Sequence, residues 1–298
     1  MTSLTEFMLE GLKQQGFEHQ KNLLSQEMIV MPTDDPTQVV NQIQAAAPDV
    51  ILTTIEFRNI LSALHGLSIP TITTNNVEPN VDAQGMPIAN ISGIYPTLHD
   101  MVFNSYKFLQ KVAPLQQGQS VILLNNPEFQ VISKETVIEA LKRLQIPLKA
   151  VVDVVIYEDW QAAILQYSAD SEVGWILRSA PTRKRDGSRI DMVGELYPWQ
   201  REHFNKPTIT YWEEPVKLGT LCAFGVDMNE VARQAGRMAA RVLQGEPIQT
   251  IKAEYPEKIS ITLNRKTATH VGIVFSMDVL KLANVIYDDY EGKQVIRK

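Results

Sequence analysis

Three groups of residues in this 298-residue chain have types and spacings that could do chemistry. The first is paired carboxylates. Glu213-Glu214 follows Tyr211-Trp212, and Asp288-Asp289 lies near the C-terminus. Two carboxyls held about 5–10 Å apart in a cleft can divide acid and base roles. Neighbours on a strand point to opposite faces, so Glu213 and Glu214 read as a solvated pair, as does Asp288-Asp289. The second group is five histidines, His19, His65, His99, His203 and His270. They stand singly, without H-E-x-x-H or i,i+4 spacing, so no metal site is expected. The third group closes short apolar runs: Thr53, Thr54, Glu56, Thr73, Asn75, Asn76, Ser92, Asn125, Asn126, Glu128, Phe129, Arg178, Ser179, Tyr211, Trp212, Glu213, Phe224 and Asp227.

That third group reads as a ligand set. In open α/β sheets ligands bind beyond the carboxyl ends of strands. Threonine and asparagine offer neutral donors and acceptors without a buried charge. Tyrosine and tryptophan offer flat apolar faces. Arg178 could pair bidentately with a carboxylate, and Glu56 or Glu213 could meet an ammonium. A small polar or zwitterionic organic ligand would suit them. Plainer readings stand beside this one. Asn75-Asn76 and Asn125-Asn126-Pro127 are also turn signals. Arg178 could bond a loop carbonyl, and Trp212 could be core packing. No G-x-G-x-x-G, P-loop or G-x-S-x-G motif is present, so neither a phosphate cradle nor a nucleophile elbow is expected. We expect no cofactor and no enzyme activity.

The bulk properties narrow the classes. Lysine and arginine number 28 against 34 acids, a net charge of −6. This lacks the clustered basic excess of a nucleic-acid binder. The run Arg183-Lys184-Arg185, beside Asp186-Gly187, reads as a solvated turn. No run approaches ~18 apolar residues, and no signal peptide is visible at the start. Cys222 stands alone, which excludes an internal disulfide, and it reads as a small buried hydrophobe.

The elements that must position these residues alternate. Strands are expected at Glu27–Met31, Val50–Thr54, Thr71–Thr74, Ile88–Ser92, Ser120–Leu124, Leu148–Ile156, Val173–Arg178, Thr208–Tyr211, Thr220–Phe224 and Ile259–Leu263. Most are near-continuous apolar runs, as in parallel sheets covered on both faces. Helices are expected at Thr2–Gly16, Pro36–Ala46 (capped by Asp35), Glu56–His65 (Gly66 as a left-handed cap), Thr97–Val112, Ser133–Leu144, Trp160–Tyr167, Met192–Phe204, Asn229–Leu243 and Met277–Tyr287. The alternation implies right-handed βαβ units. It breaks near residues 93–97, and Gly225-Val226-Asp227 and Ala253–Pro256 are further crossings. The expected fold class is therefore α/β, two doubly wound parallel-sheet lobes. Lobe 1 is expected to hold residues 1–93 and 227–256, and lobe 2 residues 94–226 and 257–298. The first helix has no strand before it, so the expectation is that the chain begins inside a domain, with a first strand and any export signal upstream.

The stretch from Gly219 carries Gly225-Val226-Asp227, then small residues Ala232, Ala235 and Ala239. Leu243-Gln244-Gly245-Glu246, Leu263-Asn264 and Lys266-Thr267-Ala268 follow. This resembles the ABC-transporter substrate-binding protein family that includes the tryptophan/tyrosine-binding lipoproteins. Glu10-Gly11-Leu12-Lys13 through Gly16-Phe17 is similar to that family's first helix, and Ala47-Pro48-Asp49-Val50-Ile51 to its third strand. Val274-Phe275 stands where the family has an Ile-Pro pair. The resemblance implies a type I periplasmic-binding-protein fold with a three-segment hinge. It also implies a small organic ligand closed into an interlobe cleft, a permease partner, a monomer and a periplasmic or extracytoplasmic location, lipid-anchored or secreted. The alternatives with the same fold are the input domain of a signalling receptor, whose partner would be an output domain, and a repressor-like effector domain.

Overall fold

In the computed structural model, residues 4–30, 34–54, 58–74, 77–95, 100–128 and 132–298 are described. The chain divides into two units. Unit 1 holds Met1–His99 and Val226–Ile259, and unit 2 holds Asp100–Gly225 and Ser260–Lys298.

Unit 1 is built from α1 (Leu4–Gln14), α2 (Pro36–Ala46), β1 (Ile51–Thr53), α3 (Arg58–Leu64), β2 (Thr71–Thr73) and β3 (Ile91–Gly93), and later receives a long helix at Met228–Leu243. Its strands pair in parallel in the order β1-β2-β3. Asp35 caps α2 by accepting from the Thr37 N–H, and Pro36 occupies a first-turn position where no N–H is needed. The 228–243 helix buries Ala232, Ala235, Ala239 and Ala240 with Val231 and Met238, alongside Met8 and Leu12 of α1. The two helices touch backbone to backbone. A Cβ at Gly11 would overlap the Arg233 carbonyl, and one at Gly236 would overlap the Met8 carbonyl. Glycine at both positions is therefore a steric requirement of this crossing.

Unit 2 continues with α4 (Met101–Val112), β4 (Ser120–Asn125), α5 (Lys134–Arg143), β5 (Leu148–Asp153), α6 (Tyr157–Ser168), β6 (Val173–Arg178), α7 (Tyr197–His203), β7 (Ile209–Thr210), α8 (Glu213–Lys217) and β8 (Cys222–Val226). The unit 1 helix is then α9, and unit 2 closes with β9 (Ile259–Asn264), α10 (Arg265–His270), α11 (Met277–Leu282), β10 (Val285–Tyr287) and β11 (Val295–Arg297). Strand order is β5-β4-β6 in one sheet and β11-β10-β9-β8-β7 in the other. The β4–β5, β4–β6, β7–β8 and β9–β10 ladders are parallel, and β10–β11 is antiparallel. The Ile176 N–H donates to the Pro207 carbonyl at 3.3 Å, joining β6 to the segment leading into β7. Successive residues of β4 and β6 face opposite cores. Leu123, Trp175 and Leu177 enter one, and Ile122, Leu124 and Ile176 the other. Each such aliphatic chain, fully buried, stabilises the fold by about 1.5–3 kcal/mol.

The parallel α/β class expected from apolar periodicity is the class observed. Several element boundaries are not. Residues 27–30 pair with no strand among the described residues, Ile29 is exposed, and Met31 lies outside the described residues. The Ile88–Ser92 strand begins only at Ile91, because Ile88 sits in the preceding bends, where it is exposed. Gly66 is not a left-handed cap. The single helix expected over Met277–Tyr287 is α11 followed by β10, since Val285, Ile286 and Tyr287 take a ladder beside β9. Met192–Phe204 is a π-turn over Met192–Leu196 followed by α7. Pro198 has no N–H to extend an α-helical ladder backwards, which favours that wider turn.

Candidate functional site

A cavity of about 330 Å³ lies at the carboxyl ends of β4, β6 and β7 in unit 2. Its volume is within the range of about 300–1,000 Å³ usual for small-molecule sites. Four of the expected ligand residues line it: Arg178, Ser179, Tyr211 and Trp212. Strand geometry explains their convergence. In parallel βαβ units every strand ends on the same edge, so the residues that close β6 and follow β7 meet.

Among the described residues Arg178 is the one charged residue of the lining. Its Nη2 donates to the Thr220 hydroxyl at 3.1 Å, and its Nε is buried without a partner. The guanidinium lies 5.8 Å from the ring centres of both Trp160 and Phe204, inside the range of cation–π attraction. Among the described residues no carboxylate forms an ion pair with it. Burial lowers its pKa, with Tyr197 opposing that shift, yet an arginine stays charged. An unpaired buried charge costs roughly several kcal/mol.

The aromatic wall is ordered by its own bonds. The Tyr106 and Tyr211 hydroxyls lie 3.1 Å apart, and Tyr211 meets Trp212 edge to face at 5.8 Å. Burial pushes the Tyr211 phenol up to about 12. Burial, with Tyr211 beside it, raises Tyr106 well above its usual value. A Cβ at Gly225 would overlap the Tyr211 carbonyl, so glycine there lets β8 approach the wall closely.

The other expected residues of unit 2 are engaged elsewhere. Asn125 donates to Asp153 at 2.6 Å. Asn126 donates to the Ala180 carbonyl and accepts from the Glu128 N–H, an Asx turn. Glu128 is bonded to Arg183 and Thr182, which hold its carboxyl below the usual range. Phe224 packs against Phe108. Glu213 does not continue a strand with Glu214, as expected from sequence. The two open α8, and Glu213 is bonded to Arg297 and Tyr287. Arg178 meets a hydroxyl rather than a loop carbonyl. Cys222 is fully buried and its thiol pKa is raised by that burial.

In unit 1, Thr53 and Thr73 end β1 and β2 and are buried, and Thr54 is exposed. Ser92 donates to the Ile251 carbonyl at 2.6 Å. Asp227 caps α9, accepting from the Asn229 and Glu230 N–H groups. Glu56, Asn75, Asn76 and Phe129 lie outside the described residues.

Sequence reasoning missed Tyr106, Met192, Tyr197, Thr210 and Thr220 as lining. Thr220 precedes its strand, and Tyr106 and Tyr197 lie on helices, so a search of strand ends could not find them. Among the described residues no group of three or more His, Cys, Asp or Glu side chains could hold a metal ion.

The family model described as ABC transporter substrate binding protein matches residues 1–286. No curated protein matches the chain. Among solved structures it is similar to a conserved domain protein from Vibrio cholerae O1 biovar El Tor, at 19% identity and TM-score 0.69, over 96% of this chain and 94% of that one. It is also similar to an ABC domain from Streptococcus pneumoniae in complex with L-Trp, at 15% identity and TM-score 0.69, over 96% of each chain. A third is the ligand-free, open structure of CD0873 from Clostridium difficile, a substrate binding protein with adhesive properties, at 15% identity and TM-score 0.68, over 92% of each.

Proposed function

Because this chain belongs to the family of ABC transporter substrate-binding proteins, we propose that the unit 2 cavity is where it holds its solute. The observation that carries this reading is Arg178, a half-buried cation whose Nε is buried and unpaired, set in a cavity whose other walls are hydroxyls, aromatic rings and aliphatic chains. Such a site binds reversibly, and nothing in its lining activates a nucleophile. Tyr211, Trp212, Tyr106 and Tyr197 supply apolar faces with polar tips, and Ser179, Thr210 and Thr220 supply hydroxyls. The solute is a small organic molecule, passed on to an ABC permease by a monomeric binding protein.

Proteins of this family work outside the cytoplasm. Among the described residues no helix is long and apolar enough to cross a membrane. This reading places the chain there either tethered by lipid or secreted.

Native mass spectrometry of the purified protein, followed by calorimetric titration of the stripped protein with a broad solute panel, tests the reading. Saturable binding that is weakened by Tyr211→Ala is the expected result. Binding that Tyr211→Ala and Trp212→Ala both leave untouched would move the site elsewhere in the chain.

A further inference from the structure

We propose that this cavity selects an organic monocarboxylate with a flat apolar body and no ammonium group, and that Arg178 sets that choice. The inference rests on the cavity being the solute site and adds the charge and shape of the solute.

The argument is an inventory of charge. Among the described residues Arg178 is the only charged side chain in the lining. Among the described residues the guanidinium makes one hydrogen bond, from Nη2 to the Thr220 hydroxyl, and its Nε is buried and unpaired. A planar carboxylate accepts two parallel N–H bonds from a guanidinium edge, a match that a hydroxyl or an amide reproduces poorly.

Among the described residues of unit 2, the acids that follow the strand ends or flank the lining are committed to other partners. Glu213 holds Arg297 and Tyr287, and Glu128 holds Arg183 and Thr182. Glu195 pairs with Lys184 at 2.7 Å, and Glu214 with Lys217 at 3.4 Å. An ammonium entering the cavity would lose water and, among the described lining residues, meet only neutral oxygens, which is unfavourable. The remaining lining includes Leu123, Val137, Leu177, Ile209 and Pro215, with Trp212 and Tyr211 at one side. This apolar box matches a ring or a branched chain.

Titration calorimetry on the stripped, full-length chain tests the idea. The probes are benzoate, phenylacetate, 3-phenylpropanoate and indole-3-acetate. Each is run against its primary amide, with L-phenylalanine and L-tryptophan as the ammonium-bearing counterparts and acetate as the head group alone. The expected result is that at least one aryl acid binds and that its amide binds about 30-fold more weakly or worse, the lower end for breaking a buried charge pair. The amino acids bind more weakly than the ammonium-free acids of the same ring. Arg178→Met removes the difference between acid and amide, and Arg178→Lys restores part of it. Should Arg178→Met fail to fold, the ligand series on the unaltered protein still decides. Amides equal to acids, amino acids tighter than their ammonium-free counterparts, or a sugar or amine binding where no acid does would each overturn the inference while leaving solute capture standing. Failure of every solute class to bind would remove both.

Discussion

Tyr106 and Tyr211 share a hydrogen bond of 3.1 Å between their hydroxyls across 105 residues of sequence. It ties α4 to the segment after β7 and so fixes one wall of the cavity. Tyr106→Phe leaves the Tyr211 hydroxyl without that partner in a buried place. The variant should lose about 1–3 kcal/mol of stability, the usual effect of orphaning a buried polar group. Replacing both tyrosines by phenylalanine should cost less than the two single losses added together. Urea unfolding of the three variants measures this, and strictly additive losses would mean that the two hydroxyls do not interact.

The same pair makes the protein sensitive to alkali. Burial raises the Tyr211 pKa to about 12. A phenol whose folded-state pKa lies above its unfolded value stabilises the fold fully below about pH 10, and that contribution disappears as pH rises through the folded value. Thermal midpoints should therefore fall between about pH 10 and 12, less steeply in Tyr211→Phe. Parallel curves for the two proteins would contradict the assignment.

At the acid end the informative residue is Glu213. Its Oε1 accepts from Arg297 Nη2 at 2.6 Å and from the Tyr287 hydroxyl. Burial works to raise its pKa, but these bonds and the Arg297 charge outweigh it and hold the carboxyl below its usual range. A depressed carboxyl stabilises above its unfolded pKa, and the gain is lost as pH falls through the folded value. The Arg297 side chain is 58% exposed, so solvent screening limits Arg297→Met to a loss of about 1 kcal/mol at neutral pH. Denaturant midpoints taken down to about pH 3 should show that deficit closing as Glu213 takes up its proton. A deficit that stays constant would assign the loss to packing alone.

Arg178 makes an opposite prediction for stability and for binding. Removing a half-buried charge that has no carboxylate partner among the described residues relieves a desolvation cost of roughly several kcal/mol, against about 1.5–3 kcal/mol for the lost charged bond to Thr220. Ligand-free Arg178→Met should melt no lower than the unaltered protein, and binding should still be lost. A large drop in the ligand-free midpoint would instead make Arg178 a structural residue.

Much of the local structure can be read from the residues themselves. Asp35 before Pro36, Ser133 before α5 and Asp227 before α9 are caps because short oxygen side chains reach the free N–H groups one turn on. Cys222 is buried because an apolar run surrounds it. Continuous apolar runs become parallel strands because both faces of such sheets are covered. The resemblance carried by the Gly225-Val226-Asp227 and Leu263-Asn264 stretches agrees with the family match.

Which polar residues are consumed by the fold is a different matter. A strand-end position says that a side chain reaches the binding edge, and it says nothing about what arrives beside it from elsewhere in the chain. Arg297, 84 residues away, takes Glu213, and Arg183, 55 residues away, takes Glu128. Tyr106 and Thr220 join the cavity from a helix and from the segment before β8. Sequence by itself determined the alternation of strands and helices and the Asp35 cap, because periodicity and capping act within a few residues. Only the tertiary structure decided that Arg178 stands in the cavity without an anion while nearby acids are paired, because ion pairing depends on distances between segments far apart in the chain.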